Sequence, residues 1–492
     1  MEDTRAPEPG RGRQSLVLAI CCLSVLLVSL DTTILNVALP AIRQDLNSSV
    51  TGLQWTLDAY TIVLATLLTS AGSTADRLGR KRVFRLGLML FTVGSTLCSL
   101  APTTDWLVAF RTVQAAGGSM LTPVAMAILT HAFPHPRERA RAIGTWGAVV
   151  GLSMAAGPVL GGLLVQSAGW RSVFWVNVPI GLAALMLTTL HIHESRAPHP
   201  RRPDPGGQIL VAVLLGTLTY ALIEARGAGW TSPLVVASLL AAAGALAWLV
   251  PYERRRDESL IDPRLFRSAP FSGATATAVF AFAALSGFLF ANTVYLQGDL
   301  GLSPLDAGLR LLPMAALSLL CPPLSGRIVG SRGPRVPLLI AGAGIASSGA
   351  LAALVTRSTH PSQLLLSLMY ALFGLGFGFV NAPVTDTAVV GLPSAQAGVA
   401  ASIAATSRQV GAALGIALIG AAAASGARSA AWWAITGCGL AVLALATVTS
   451  GRRPAGSAQR VKATAGPPSA KGSHASPGST PARRAAPRCG DA

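Results

Sequence analysis

The chain has 492 residues, of which 51% are apolar and only 12% charged. Its mean hydropathy is +0.55. A soluble domain is about 25% charged, so this composition excludes a chain built mainly of soluble enzyme or receptor domains. The formal net charge of +18 would suit a nucleic-acid binder, but the basic residues are dispersed between apolar runs, so nucleic acid is excluded as the partner.

Apolar runs of spanning length recur at 16–39, 53–74, 84–101, 106–128, 142–166, 172–190, 207–224, 233–251, 272–296, 305–325, 336–356, 362–385, 398–421 and 430–449. They predict an all-α polytopic membrane protein of about 14 transmembrane helices. Gly and small polar residues interrupt the ninth and twelfth runs, which are the least sharply bounded. The first run is too long for a cleavable signal peptide and lacks a small-residue cleavage site. It contains Asp31, within Leu30-Asp-Thr-Thr-Ile-Leu-Asn-Val-Ala-Leu-Pro40. A carboxylate in such a helix costs about 2.5–3.5 kcal/mol on insertion scales, which makes it a functional candidate by default. Asp31 is the expected proton carrier. The alternative is an Asp satisfied by Thr32, Thr33 or Asn36 that only pins helix packing.

Asp58 lies in the outer part of the second run, after Trp55. Runs one and two are antiparallel, which brings Asp31 and Asp58 towards the same half of the membrane; the bland alternative is an interfacial Asp in water. Gly72-Ser-Thr-Ala-Asp-Arg-Leu-Gly-Arg-Lys-Arg82 follows. Its glycines permit a tight cytoplasmic turn. Asp76 is placed to pair with Arg77 or Arg80, or to sit at a neighbouring helix N-terminus, and so to latch one bundle shut. Arg111, early in the fourth run, is a cation in oil awaiting Asp31 or Asp58. Such a cation favours the ionised carboxylate and burial favours the neutral acid, the balance a proton carrier needs. In the fifth run, Gly147 and Gly151, then Gly157 and Gly161, form four-residue small faces, with Pro158 and Gly162 between and beside them. Small residues let helices touch closely in lipid, and Pro158 removes a backbone donor and bends the helix.

Later charges carry less. Glu224, Asp299, Asp306 and Asp386 fall at span ends, and Arg310 and Arg408 are expected to snorkel or bind carbonyls. Trp55, Trp106, Trp170, Trp175 and Trp230 read as interfacial anchors. The 6 Cys have no paired spacing and read as small hydrophobes; the 7 His form no HExxH pattern, so no metal site is expected. None of the three Lys follows a Gly, so a phosphate-binding GKS or GKT loop is absent and a primary pump is disfavoured. No nucleophile–base pair gathers at one face, so the chain is not read as an enzyme.

With the N-terminus inside, 30 of the 38 basic residues fall in cytoplasmic segments, 5 outside and three within spans. That bias puts both termini in the cytoplasm. Gly326-Arg-Ile-Val-Gly-Ser-Arg-Gly333 echoes Gly72–Gly79 eight spans later, with Gly330 where the first copy has Asp76. The echo predicts an N-terminal segment (1–15), a six-helix bundle (16–190), a linker with two extra helices (191–270), a second six-helix bundle (271–450) and a basic disordered tail (451–492).

Gly72–Arg82 resembles the signature loop of the major facilitator superfamily, and Arg111-Thr-Val-Gln-Ala-Ala-Gly-Gly118 resembles its fourth-helix motif. The glycines and Pro158 of the fifth run resemble the antiporter motif, and Leu30–Pro40 the first-helix motif of fourteen-span drug:proton antiporters. Gln54-Trp55, Asp58-Ala-Tyr60, Gly169-Trp-Arg171, Asn177-Val-Pro179, Leu296-Gln297, Gly301–Pro304 and Ala307-Gly308 fit that family too. The chain is similar to the self-resistance exporters of antibiotic-producing actinobacteria. The resemblance implies proton-coupled efflux of a hydrophobic, amphiphilic or cationic compound by a monomer driven by the proton gradient, with no cofactor. It makes Asp58 a second candidate for proton or cation recognition. An importer or facilitator of a metabolite is the alternative on the same fold.

Overall fold

The computed structural model describes residues 11–197, 204–256, 264–358, 361–389, 394–424 and 428–449. The expected N-terminal segment before residue 11, Cys489 and the tail from 451 lie outside them. Every described regular element is a helix. In chain order these are α1 (Arg11–Asp45), α2 (Val50–Leu78), α3 (Arg80–Ser99), α4 (Thr104–Ala132), α5 (Pro136–Ala168), α6 (Ser172–Trp175) and α7 (Asn177–His191). Then come α8 (Pro205–Ala228), α9 (Pro233–Arg254), α10 (Ala269–Thr293), α11 (Pro304–Arg310), α12 (Leu312–Arg332), α13 (Arg335–Val355), α14 (Gln363–Gly378), α15 (Asn381–Val389), α16 (Ser394–Ala424) and α17 (Arg428–Thr449). Among the described residues, 12 helices are long and apolar enough to cross a membrane. The 29-residue α2 and the 20-residue α3 are outside that set; α2 ends in Asp76 and Arg77, and α3 opens with Arg80, Lys81 and Arg82.

Local chemistry sets the helix ends. The Ser49 hydroxyl accepts from Gly52 N at 3.0 Å to start α2, and Ser303 accepts from Asp306 N at 3.1 Å to start α11, each filling an orphan donor of a first turn.

The glycine-framed segment 72–79 is not a loop. It forms the last two turns of α2, and the whole reversal is made at Gly79, whose φ of +115° only glycine adopts cheaply. Its second copy likewise continues α12 to Arg332 and breaks at Gly333. Gly72 meets nothing nearer than Pro123 Cβ, 3.8 Å from where its own Cβ would stand, so it imposes no turn. The predicted run 305–325 is also two pieces: α11 stops at Arg310 and α12 starts at Leu312. Pro313 at the head of α12 cannot donate back to the preceding turn, which favours a new helix there. Run 362–385 splits at Phe379–Val380 between α14 and α15. Run 272–296 ends in a π turn over Val294–Asp299.

The two largest apolar cores lie in different parts of the chain. One draws on residues from Val17 to Ile192, the other on residues from Ala278 to Val442. Contacts repeat between them. Gly117 of α4 packs on α3 backbone at Gly87 and Phe91, and Gly376 of α14 packs in the same way on α13 at Ala341 and Ile345. Helices α8 and α9 pack on each other, and α8 also touches α2 and α16.

The first seven helices meet the later ones chiefly at one end, where α1 finishes and α2 begins. Gln54 Nε2 donates to Ile416 O at 2.9 Å, and Gln297 Nε2 donates to Val37 O at 3.0 Å. Along α5 the seam is graded. Gly162 abuts the backbone of Pro304 and Leu305; a Cβ on Gly151 would stand 3.2 Å from Leu319 Cδ1; Gly147 and Gly144 have nothing within 4 Å. The cleft therefore closes at the C-terminal end of α5 and opens towards its N-terminal end.

Candidate functional site

Asp31 sits about three-fifths of the way along α1, and is 1% exposed. Its Oδ2 accepts from Arg111 Nη1 at 2.5 Å. Its Oδ1 accepts from Gln114 Nε2 at 2.8 Å and from Asn177 Nδ2 at 3.1 Å. Arg111 is itself 1% exposed. It donates to Gln114 Oε1 at 2.8 Å and to Thr56 O at 3.3 Å, and its guanidinium carbon lies 4.1 Å from the centre of the Tyr60 ring. Asn177 also donates to Ser95 Oγ at 3.1 Å. The network thus ties α1, α2, α3, α4 and α7 around one ion pair.

The helical repeat explains the convergence. Gln114 follows Arg111 by three residues and shares its face of α4. Asn177 opens α7, where its amide reaches back into the bundle. The alternative in which Thr32, Thr33 and Asn36 satisfy Asp31 is not what forms. Thr32 and Thr33 donate to carbonyls of their own helix, and Asn36 donates to Thr32 O at 3.0 Å. Of the two acids, it is Asp31 that meets Arg111. Gln114 and Asn177 stand in the sequence only as parts of motifs; a buried amide at the mouth of an apolar run is the signal that singles them out.

Asp58 is not an interfacial acid in water. It is 0% exposed, and neither carboxylate oxygen has a hydrogen-bond partner among the described residues. It shares a face of α2 with Gln54 and Ile62, which meet Ile416 and Ala413 of α16. Asp58 and Asp31 are therefore two separate sites. One is fully partnered and the other sits bare in the α2–α16 seam.

The Asp76 carboxylate is held by Arg80, from Nε at 3.0 Å and Nη2 at 2.9 Å; among the described residues Arg77 makes no such pair. The segment after α7 clamps this corner. Arg80 N donates to Ser195 O at 2.9 Å, Ala197 N donates to Asp76 O at 3.1 Å, and Glu194 Oε1 accepts from Lys81 N at 3.0 Å. Of the α5 glycines, Gly157 and Gly161 press on Thr33 and Ile34 of α1, and Gly308 abuts Pro158 O. Gly147 makes no close approach, so the paired face expected at 147 and 151 is not the tight contact. Pro158 lies inside a helix that continues to Ala168.

Other expectations change in detail. Glu224 accepts from Trp55 Nε1 at 3.2 Å, tying α8 to α2. Trp170 is buried and donates to Asp45 Oδ2 at 2.9 Å. Arg408 donates to the Thr385 hydroxyl at 2.8 Å. Among the described residues, no group of three or more His, Cys, Asp or Glu could hold a metal ion.

Beside the network, α1, α5, α10, α12 and α14 line a narrow cavity of about 20 Å³. Thr33, Met154, Pro158, Leu285, Met314 and Phe377 are among its walls.

The family model of the Major Facilitator Superfamily matches residues 21–416. The chain is 38% identical over 407 residues to the multidrug resistance protein Stp of Mycobacterium tuberculosis, covering 83% of this chain and 75% of that one. It is 36% identical over 411 residues to the tetracenomycin C resistance and export protein of Streptomyces glaucescens, covering 83% and 76%. To the methylenomycin A resistance protein of Streptomyces coelicolor it is 33% identical over 398 residues, covering 80% and 82%.

Proposed function

The chain belongs to the Major Facilitator Superfamily, and on that premise we propose that it exports a hydrophobic or amphiphilic drug or antibiotic across the cell membrane in exchange for protons, conferring resistance. The observation that carries the reading is the Asp31–Arg111 pair, a carboxylate and a cation together in oil at 2.5 Å. Relatives named for multidrug resistance and antibiotic export support the direction of transport. Export of an endogenous metabolite on the same fold is the second reading.

In the proposed cycle, a proton from outside neutralises Asp31, with or without Asp58, and favours the state in which cargo has left. Loss of that proton inside restores the network and the cargo-binding state. Direction comes from the different proton affinity of the two states. The graded seam along α5 supports assigning this conformation as closed outside and open inside, with Gly157, Pro158, Gly161 and Gly162 as the seal. Asp76, Arg80 and Gly79 make up the proposed inner latch, with Asp76 exchanging Arg80 for a partner in the other bundle when the inner side closes; Arg77 and Gly72, expected in it, make no such contact among the described residues in this conformation.

We assign fourteen spans. Helix α2 packs against α4 and α16, and α3 against α4; at 1.5 Å per residue both are about 30 Å or longer, so they cross with their neighbours. Two six-helix bundles with α8 and α9 between them, both termini cytoplasmic, a monomer as the working unit and no cofactor complete the assignment.

Asp31→Asn is the test. It keeps the side-chain volume and removes the titratable charge. Proton-coupled efflux is expected to stop while the protein still inserts; efflux that stays protonophore-sensitive at wild-type rate would end the proposal.

A further inference from the structure

The geometry that holds the ion pair in the first bundle recurs in the second without charge. Asp31-Thr-Thr-Ile-Leu-Asn36 of α1 has its echo in Asn292-Thr-Val-Tyr-Leu-Gln297, where α10 runs into the π turn. Helices α4 and α14 are in register too. Gly117 stands six residues after Arg111 and fits against Gly87 O and Phe91 N of α3. Gly376 stands six residues after Tyr370 and fits against Ala341 O and Ile345 N of α13. Asn292 therefore takes the place of Asp31, and Tyr370 that of Arg111.

The two residues meet as the ion pair does. Both are 0% exposed. The Tyr370 hydroxyl donates to Asn292 Oδ1 at 2.8 Å, and Asn292 Nδ2 donates to Phe288 O at 2.8 Å. The surroundings differ as the charge does. Three residues after Arg111 stands Gln114, which bonds both members of the ion pair. Three residues after Tyr370 stands Phe373, whose ring stacks on Phe288 at 4.0 Å. Phe288 also meets the rings of Tyr370 and Trp432 edge-on, at 6.0 and 5.9 Å. Aromatic walls suit a neutral hydrogen bond and offer a carboxylate no donor.

Helices α10 and α14 carry no charged side chain. Tyr295, on the π turn, and Arg310, ending α11, are the groups that act on Tyr370. The other charges on the helices packed around the pair are Arg327 and Arg332 ending α12, Arg335 opening α13, Asp386 in α15, Arg408 bonded to Thr385, and Arg428 opening α17. An amide and a phenol keep one protonation state between about pH 5 and about pH 8, whereas a carboxylate beside a buried cation can hold two.

We propose that Asn292 and Tyr370 are the uncharged second copy of the Asp31–Arg111 pair. They are positioning residues that tie α10 to α14 whatever the pH, so the second bundle contributes no proton and exchange draws on the first bundle alone. The inference rests on the export reading above.

The experiment takes two readouts from the full chain. In detergent, Tyr370→Phe removes the hydroxyl and keeps the ring. Its unfolding temperature is expected to fall by the same amount at about pH 5 and about pH 8. A loss that differs between the two, or no loss at all, would overturn the inference. In proteoliposomes, ethidium serves as cargo and pyranine reports protons. Tyr370→Phe is expected to lower the rate by up to about tenfold with the protons moved per ethidium unchanged. Asn292→Asp rebuilds the missing acid, and should move about one proton more per ethidium than wild type, which a merely structural position would not do. Where that variant does not fold, Asn292→Asp/Tyr370→Arg supplies the counter-charge as well. A folded acid-bearing variant with the wild-type proton count would overturn the inference and leave export standing. A wild type that moves no ethidium under a proton gradient would tell against the export reading, and the unfolding readout would then decide the pair by itself.

Discussion

Replacing Arg111 with Met removes one member of a buried ion pair and leaves the other in place. Both side chains are 1% exposed, so solvent cannot take up the lost interaction. Removing one partner of a buried pair costs about 3–5 kcal/mol. Gln114 and Asn177 still donate to Asp31 Oδ1, so the lower part of that range is expected. Asp31→Asn alone strands Arg111 beside Gln114 Oε1, Thr56 O and the Tyr60 ring, at a similar cost. The double variant Asp31→Asn/Arg111→Met has no stranded charge, and the coupling between the sites should recover about 1–3 kcal/mol. Thermal unfolding of the purified variants in detergent, all at one protein concentration, reads the order: wild type first, the double variant next, each single variant last. Proton-driven efflux is absent in all three. A double variant no more stable than the worse single one would show that the two side chains are not an energetic unit, and the account of the site would fail with it.

Asp58 has two buried oxygens without a hydrogen-bond partner among the described residues, so Asp58→Leu removes a cost, and the variant is expected to unfold about 1–3 kcal/mol higher. Its transport assay should fall if the acid takes part in exchange, and wild-type efflux would exclude it. Along α5, Gly162→Val collides with the backbone at Pro304 and Leu305, whereas Gly147→Ala meets nothing within 4 Å; export should be lost in the first and kept in the second, and equal loss would refute the graded seam. Gly79→Ala meets both a φ of +115° and the Glu194 carboxylate, so it should destabilise by about 1–3 kcal/mol, while Gly72→Ala leaves the unfolding temperature unchanged.

Asp31, Asp58 and Arg111 were legible from the sequence because charge inside an apolar run is conspicuous on any hydropathy argument. Their partners were not. Asp31 pairs with a residue 80 positions away, and nothing in a one-dimensional pattern distinguishes Asp31 from Asp58 as the carboxylate facing Arg111. The glycine frame at 72–79 was legible as special but misread in shape. Glycine spacing announces freedom, while helix α2 runs straight through it and spends that freedom at Gly79 alone.

Apolar run length and the placement of Arg and Lys were enough to establish a multi-helix chain and to propose its orientation, because burial in lipid and positive charge at the inner face act on each segment separately. Helix ends, the breaks before α12 and before α15, and which glycines touch a neighbour were decided by tertiary packing, because each depends on the backbone of a distant helix. That Asp31 turns towards α4 and α7, and Thr33 towards α5, belongs to the same class: rotation of a helix about its axis is set only by what surrounds it.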